Sequence, residues 1–437
     1  RPDPARIDDR SEFSDTVLTE LTLENGARVV FVETDIRDDV VVFGAASPGG
    51  WSLLDPHDVA EAQMAPDIAT ASGVGVHDQV TLDRFLSAFN LSLTPYVEET
   101  EEGFFGEAAT RDLESLLQLV HLYMTAPRFE EVALDIAVAE ILPFAADPGR
   151  LPDLAVAAAA AEEMYAGDPR FAVVPPLEDL TTLDLDTAAD VFRDRFDDPG
   201  DFVFVFAGDF DQGTAEDLAR SYLGTIPGPG DSEAWMDVRP DPPAGVIDRT
   251  VEAGTGELGG ISLLFGTDYA LDPVTRVQID LLESVLQQRL TERIREELSA
   301  SYSPFASFEL IEAPLEGVEI WIQVSADPTD LDEITNQTLA VLADLRTSGP
   351  TDDELAIAAE QLRRNYELIS NEQLAQAVIF SFLHPDEGLF ENVIARIDRT
   401  AEATRADIRD LAGSLLPADR YIEIRLVPIG RALEPVE

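Results

Sequence analysis

The chain has 437 residues, with 86 acidic side chains against 29 basic ones and a formal net charge of −57. It contains no lysine and no cysteine. The first removes the basic stripes that neutralise phosphates, so nucleic acid is excluded as a partner. The second removes disulfides and thiolate metal sites. The length exceeds one hydrophobic core and suits two or three domains, and a 45% hydrophobic content implies a folded globular protein. No run of about eighteen apolar residues occurs and the acidic field repels anionic lipid, so no membrane insertion is expected. The chain starts with Arg1, which suggests a processed product or a piece of a longer chain.

Residues 1–15 are polar and read as a linker or strap. Val17 to Leu23 alternates, Asn25-Gly26 turns, and Arg28 to Val32 returns, which predicts a hairpin. Asp39 to Ala46 reads as a third strand, and Val59 to Ala71 as a helix. Thr81 to Asn90 is a short helix, followed by strands at Leu91 to Val97 and Gly103 to Ala109. Arg111 to Met124 is an amphipathic helix with Leu113, Leu116, Leu117, Val120 and Met124 on its buried stripe. Further helices are predicted over Glu130–Ala146, Leu154–Tyr165, Thr187–Arg195 and Ala215–Tyr222, with a strand at Asp201–Gly208. Ile226 to Ile247 is rich in proline and glycine and marks the domain boundary.

Beyond the boundary the pattern repeats. Gly260–Gly266 matches the strand at Val41–Gly44. Thr329–Leu345 and Asp353–Leu368 match the helix pair that starts at Arg111. Ala401–Leu415 and Arg420–Pro428 match Asp184–Arg195 and Phe202–Gly208. A repeat of this length predicts two homologous α+β domains. The expected division is 1–230, a linker at 231–247, and 248–437.

Between them lies the most informative stretch. Leu282, Leu286, Leu290, Ile294 and Leu298 fall every four residues on one helical face. Arg289, Arg293 and Arg295 sit in the last turns, where cations complement the helix dipole. Ser299 to Pro304 ends the helix, and Tyr302 opens a strand. By itself, an Arg at a helix end and a Tyr at a strand start fit ordinary structure.

The segment Ile294-Arg295-Glu296-Glu297-Leu298-Ser299-Ala300-Ser301-Tyr302-Ser303 resembles a signature of the M16 (insulinase- or pitrilysin-like) zinc peptidases, with Ser299 where the family prefers glycine. The hairpin opening and Gly49-Gly50 resemble the start of an M16 domain. The resemblance implies half of an M16 clamshell: two homologous domains, each a mostly antiparallel sheet with helices packed on one side. It is nearest to the C-terminal half of long, PqqL-like members, which implies a periplasmic or secreted setting, with a cytoplasmic one left open. In an active half the helix here read at Val59–Ala71 carries His-x-x-Glu-His. Its histidines ligate zinc and its glutamate activates water. Alignment on Ser72-Gly73 puts Met64-Ala65-Pro66-Asp67-Ile68 there. Both histidine positions are lost, Asp67 stands for the glutamate, and Glu140 is a relic of the third ligand or a surface residue. The implied cofactor is none in this chain, with zinc in a partner half.

No other chemistry competes strongly. His57, His77, His121 and His384 include no pair four apart. No Gly-x-Ser-x-Gly elbow occurs, and a lysine-dependent phosphate loop is impossible. Acidic pairs such as Glu98-Glu99 and Glu101-Glu102 are expected by chance at this composition. The leading expectation is a non-catalytic M16 half. It closes a peptide-binding chamber and lends Arg295 and Tyr302 to the zinc site of an N-terminal catalytic half, which lies in the same precursor or a separate subunit. The alternative is a structural or peptide-binding subunit without a part in catalysis.

The charge gives a first prediction. Acidic self-repulsion is screened over roughly 10 Å at 0.1 M salt and over less at higher salt. The melting temperature is therefore expected to rise across a salt series from low ionic strength to the molar range. A flat or falling series would show that the charges are already compensated locally.

Overall fold

The polar opening is a strand rather than a strap. In the computed structural model, which describes residues 1–13, 18–34, 37–228, 233–297, 304–367 and 402–430, Ile7–Phe13 (β1) pairs antiparallel with Leu18–Leu23 (β2). An edge strand needs only one partner and tolerates polar side chains, so β1 shows no apolar alternation. β2 pairs antiparallel with Arg28–Glu33 (β3) across the Asn25-Gly26 turn. Gly26 sits at φ 89° there, a conformation that glycine adopts without strain.

Val40–Pro48 (β4) leads to the helices Val59–Ser72 (α1) and Gln79–Leu86 (α2). Leu91–Val97 (β5) and Glu101–Ala109 (β6) form the second hairpin. The helices Leu113–Thr125 (α3), Glu131–Ala146 (α4), Pro152–Met164 (α5), Leu177–Thr182 (α6) and Leu185–Phe196 (α7) follow. Val203–Gly208 (β7) and Gln212–Tyr222 (α8) come next. The chain continues through Val246–Glu252 (β8), Gly259–Asp268 (β9) and Pro273–Leu290 (α9). Then come Pro304–Ile311 (β10), Gly317–Ala326 (β11), Leu331–Ser348 (α10), Asp352–Glu367 (α11), Arg405–Leu415 (α12) and Tyr421–Val427 (β12).

Two compact units result. The first is built from Arg1–Ile141 and Glu178–Asp237, and the second from Leu142–Leu177, Val238–Leu368 and the α12–β12 pair. The first unit's sheet has the order β1-β2-β3-β7-β4-β6-β5, and the second's β10-β11-β9-β12-β8. Every pairing is antiparallel except β3 with β7 and β12 with β8. Read from its other edge, β8-β12-β9-β11-β10 repeats β3-β7-β4-β6-β5 in order and in polarity. The sequence repeat is thus a repeat of topology, and the α+β expectation of mostly antiparallel sheets with packed helices holds.

The first unit buries phenylalanines between sheet and helices. Phe104 of β6 lies 4.9 Å from Phe196 of α7, and Phe31 of β3 stacks at 5.3 Å on Phe206 of β7. In the second unit, Leu263, Phe265, Ile320 and Ile322 of the sheet pack against apolar residues of α9, α10, α11 and α12. The opposite face adds a layer that the sequence did not announce. There α5 sets Val156, Ala159 and Ala160 on Leu264, Ile422 and Ile424. A strand covered on both faces reads as an apolar run, as Ile261-Ser262-Leu263-Leu264-Phe265 does.

The central helix α9 starts nine residues before Leu282. Asp272 caps it by accepting from the N–H groups of Val274 and Thr275, and Pro273 fills the first helical position. Leu282, Leu286, Leu290 and Ile294 are fully buried, as the four-residue spacing predicts. Arg289 does more than complement a dipole. It donates to Glu354 at 2.7 and 2.9 Å, to Asp344 at 2.8 Å and to the Gly349 carbonyl at 2.9 Å. Arg289 holds the Glu354 carboxyl down at about 2, so this pair ties α9 to the α10–α11 connection.

Leu286→Ala should cost about 2–5 kcal/mol, the usual range for an emptied core site. Val274→Ala, at an exposed position of the same helix, should stay within about 0.5 kcal/mol. Urea unfolding of both variants checks this, and equal effects would contradict the central placement of α9.

Candidate functional site

Helix α1 ends at Gly73, whose φ of 84° stops it one residue after Ser72. Alanines and Met64 favour the helix, while Pro66 sits inside it and supplies no N–H. Met64 and Ile68 lie one turn apart on the buried face, 2% and 0% exposed, together with Ala65 and Ala69. Neither side chain carries a lone pair suited to zinc, and both are packed as core. Asp67 reaches the surface instead. Loss of water around its carboxyl, and then the charge of Glu140 on α4, raise its pKa above the ordinary value. α1 and α4 thus bring the carboxylates of Asp67 and Glu140 into electrostatic reach of one another.

A zinc ion does not fit this set. Among the described residues no group of three or more His, Asp or Glu side chains could hold a metal. His57 and His77 are exposed, and the Nδ1 of His121 lies 2.8 Å from the Tyr222 carbonyl. His384 lies outside the described residues. Met64 and Ile68 are packed in the core and offer no ligand.

The Arg/Tyr stretch is placed in part. α9 continues into a π-helical turn over Thr291–Glu297, which contains the backbone of Arg295. The Arg295 side chain and the whole of Tyr302 lie outside the described residues, and the strand resumes at Pro304. Such π turns occur mostly as local features within helices, frequently at functional sites.

One buried charge cluster escaped sequence reasoning. Glu102 is 1% exposed, and its Oε2 accepts from the Gly50 N–H at 2.7 Å and lies 3.9 Å from Arg195 Nη1. Arg195 is itself buried and donates to Glu233 at 2.8 Å and Asp194 at 2.9 Å. Burial outweighs Arg195 and pushes the Glu102 carboxyl up to about 7. The signal available in sequence was Gly49-Gly50. Gly50 has φ 59°, and a Cβ there would lie 2.3 Å from the Glu98 carbonyl oxygen. The tight loop brings its N–H onto Glu102.

Residues 184–362, from α7 into α11, match the family profile described as "Peptidase M16 inactive domain". Over that stretch the chain is similar to the M16 peptidases. Among curated relatives, the "Zinc protease PQQL-like" of Arabidopsis thaliana is 25% identical over 405 residues, covering 84% of this chain and 37% of the relative. The "Probable zinc protease PqqL" of Haemophilus influenzae is 23% identical over 423 residues, covering 93% of this chain and 43% of the relative. The chain therefore spans less than half the length of these relatives. Among solved structures, the periplasmic protease PqqL from Escherichia coli superposes with a TM-score of 0.83 at 19% identity, over 98% of this chain and 47% of that one. A peptidase M16 inactive domain from Pseudomonas fluorescens superposes with a TM-score of 0.78 at 17% identity, over 96% of this chain and 100% of that one. Among the described residues, no helix is long and apolar enough to cross a membrane.

Glu102 gives a signed pH prediction. Between the ordinary glutamate value and about 7, the folded protein keeps a proton that the unfolded chain has released. Stability from this group therefore falls as the pH rises through that window and levels off above it, by on the order of 3 kcal/mol. Urea unfolding at about pH 5 and about pH 8 should show a smaller loss in Glu102→Gln than in the wild type. Equal losses would remove Glu102 as the titrating group.

Proposed function

We propose that this chain is the non-catalytic half of a PqqL-type M16 zinc peptidase, closing a peptide-binding chamber against a separate catalytic half. The observation that carries this reading is the helix α1. It stands where an active half keeps its zinc ligands, yet it buries Met64 and Ile68 in the core. The inactive-domain profile over residues 184–362 and the greater length of the relatives, of which the match covers 37% and 43%, support a second half elsewhere. That half is the N-terminal one, in the same precursor or a separate subunit, and it holds the zinc. The name of the Escherichia coli protein favours a periplasmic setting for this chain also.

In this reading the chain's own chemistry is electrostatic. Tyr302 donates a hydrogen bond to the oxygen that gains charge as the peptide carbonyl is attacked. Arg295 holds a substrate carbonyl and fixes the register of the peptide. Zinc in the partner half supplies the activated water. Preorganised donors of this kind are worth on the order of 10²–10³ in rate.

The test is steady-state kinetics on the assembled two-half enzyme. Tyr302→Phe should lower kcat by at least about tenfold with an unchanged melting temperature, because a single net hydrogen bond is worth only about 1 kcal/mol to stability. Arg295→Ala should raise KM as well as lower kcat, since a positioning contact acts in ground and transition states alike. Wild-type turnover in both variants would favour the alternative, a structural or peptide-binding subunit.

A further inference from the structure

The stretch Glu178–Asp237 of the first unit ends in a segment that is tied down at two points. Glu233 accepts from Arg195 Nη1 at 2.8 Å, and the Met236 N–H donates to Ser52 Oγ at 3.0 Å. Ser52 is buried and donates in turn to the Gly49 carbonyl at 2.6 Å. Residues 233–237 are all exposed, Trp235 and Met236 included. The segment therefore gains little from burial and is held by polar contacts, of which the ion pair with Arg195 is the charge-assisted one.

Two carboxylates compete for that one guanidinium. Arg195 Nη1 lies 2.8 Å from Glu233 and 3.9 Å from Glu102. Arg195 and Glu102 are buried, whereas the Glu233 side chain is 39% exposed. Gly49 lets the guanidinium sit this close, because a Cβ there would lie 2.7 Å from Nη1. Glu102 is held in place by the Gly50 N–H at 2.7 Å and by the Ser47 hydroxyl. Arg195 Nε is buried without a partner, so the cation has a donor in reserve. Two further acids face Arg195: Asp194 accepts from Nη2 at 2.9 Å, and burial, then Asp194, raise the Asp197 carboxyl. Tyr96 of β5 stays neutral beside Glu102, since burial and the charge of Glu101 hold its hydroxyl well above the usual value.

We propose that Glu233 and Glu102 share Arg195 as an exchangeable latch: a neutral Glu102 leaves the cation to Glu233 and holds residues 233–237 on the first unit, and an ionised Glu102 takes the cation and releases them. The direction follows from linkage. The charge of Glu233 helps to keep Glu102 protonated, so ionisation of Glu102 weakens the hold on Glu233 by the same factor. Glu233 is the partner that moves, because it already reaches water while Glu102 is enclosed. The change falls near pH 7, where Glu102 titrates. One pKa unit of mutual influence amounts to about a tenfold change in the latch. Neither zinc nor a second half takes part, so the latch stands or falls separately from the catalytic reading.

Hydrogen exchange of the full chain, corrected for the intrinsic effect of pH on exchange, reads the latch at the Met236 amide. Met236 should exchange faster than the amides of β7, because it opens locally. Its protection should fall about tenfold between about pH 6 and about pH 8. Glu102→Gln should keep the lower-pH protection at the higher pH, and Glu233→Gln should show the reduced protection at both. Protection at Met236 that is flat with pH, that falls as far in Glu102→Gln as in the wild type, or that is untouched by Glu233→Gln would overturn the proposal. So would exchange at Met236 no faster than in β7. The wild-type series alone decides where a variant fails to fold.

Discussion

Both units depend on burying one helix against a sheet, on the face that follows the third strand of the repeat. In the second unit this is α9, whose Leu281, Leu282, Val285, Leu286 and Leu290 are all fully buried. In the first it is α1, with Ala62, Met64, Ala65, Ile68 and Ala69 inside. An unpaired imidazole at position 64 or 68 would enter that packing without a hydrogen-bond partner, at a cost of roughly 1–3 kcal/mol or more. An apolar side chain gains by the same burial. In both units an apolar helix face is thus what closes the core against the sheet.

The repeat also shows where the two units diverge. Their five shared strands keep one order and one polarity. The helices between equivalent strands do not end alike. α1 stops at Gly73, while α9 runs on through a π-helical turn before β10. The Arg289 network fixes the turn that precedes it to Glu354, Asp344 and Gly349.

Much of this was legible in the amino acids. The Asn25-Gly26 hairpin, the strand pairs and the amphipathic helices follow from period and turn chemistry, and the sheets match the expected α+β halves. What stayed hidden depended on tertiary partners. Ile7–Phe13 pairs as an edge through its backbone, so its side chains carry no signal. The alanine-rich α5 gives no sign in sequence of what it packs on, and Leu264 and Ile424 prove to lie beneath it. Glu102 looks like one of many acidic pairs, and only the φ of Gly50 and the approach of Arg195 single it out. Arg289 looked like a dipole partner because its carboxylates lie 55 and 65 residues away in sequence. The apolar character of Met64 and Ile68 was legible in the sequence, and the structure places both side chains in the core.

The most direct measurement is elemental zinc analysis of the pure chain, run together with peptide cleavage before and after addition of the catalytic half. The account predicts no stoichiometric zinc and no cleavage by the chain alone, with chelator-sensitive cleavage appearing only once the second half is added. Stoichiometric zinc in the isolated chain, with cleavage that a chelator abolishes, would contradict it.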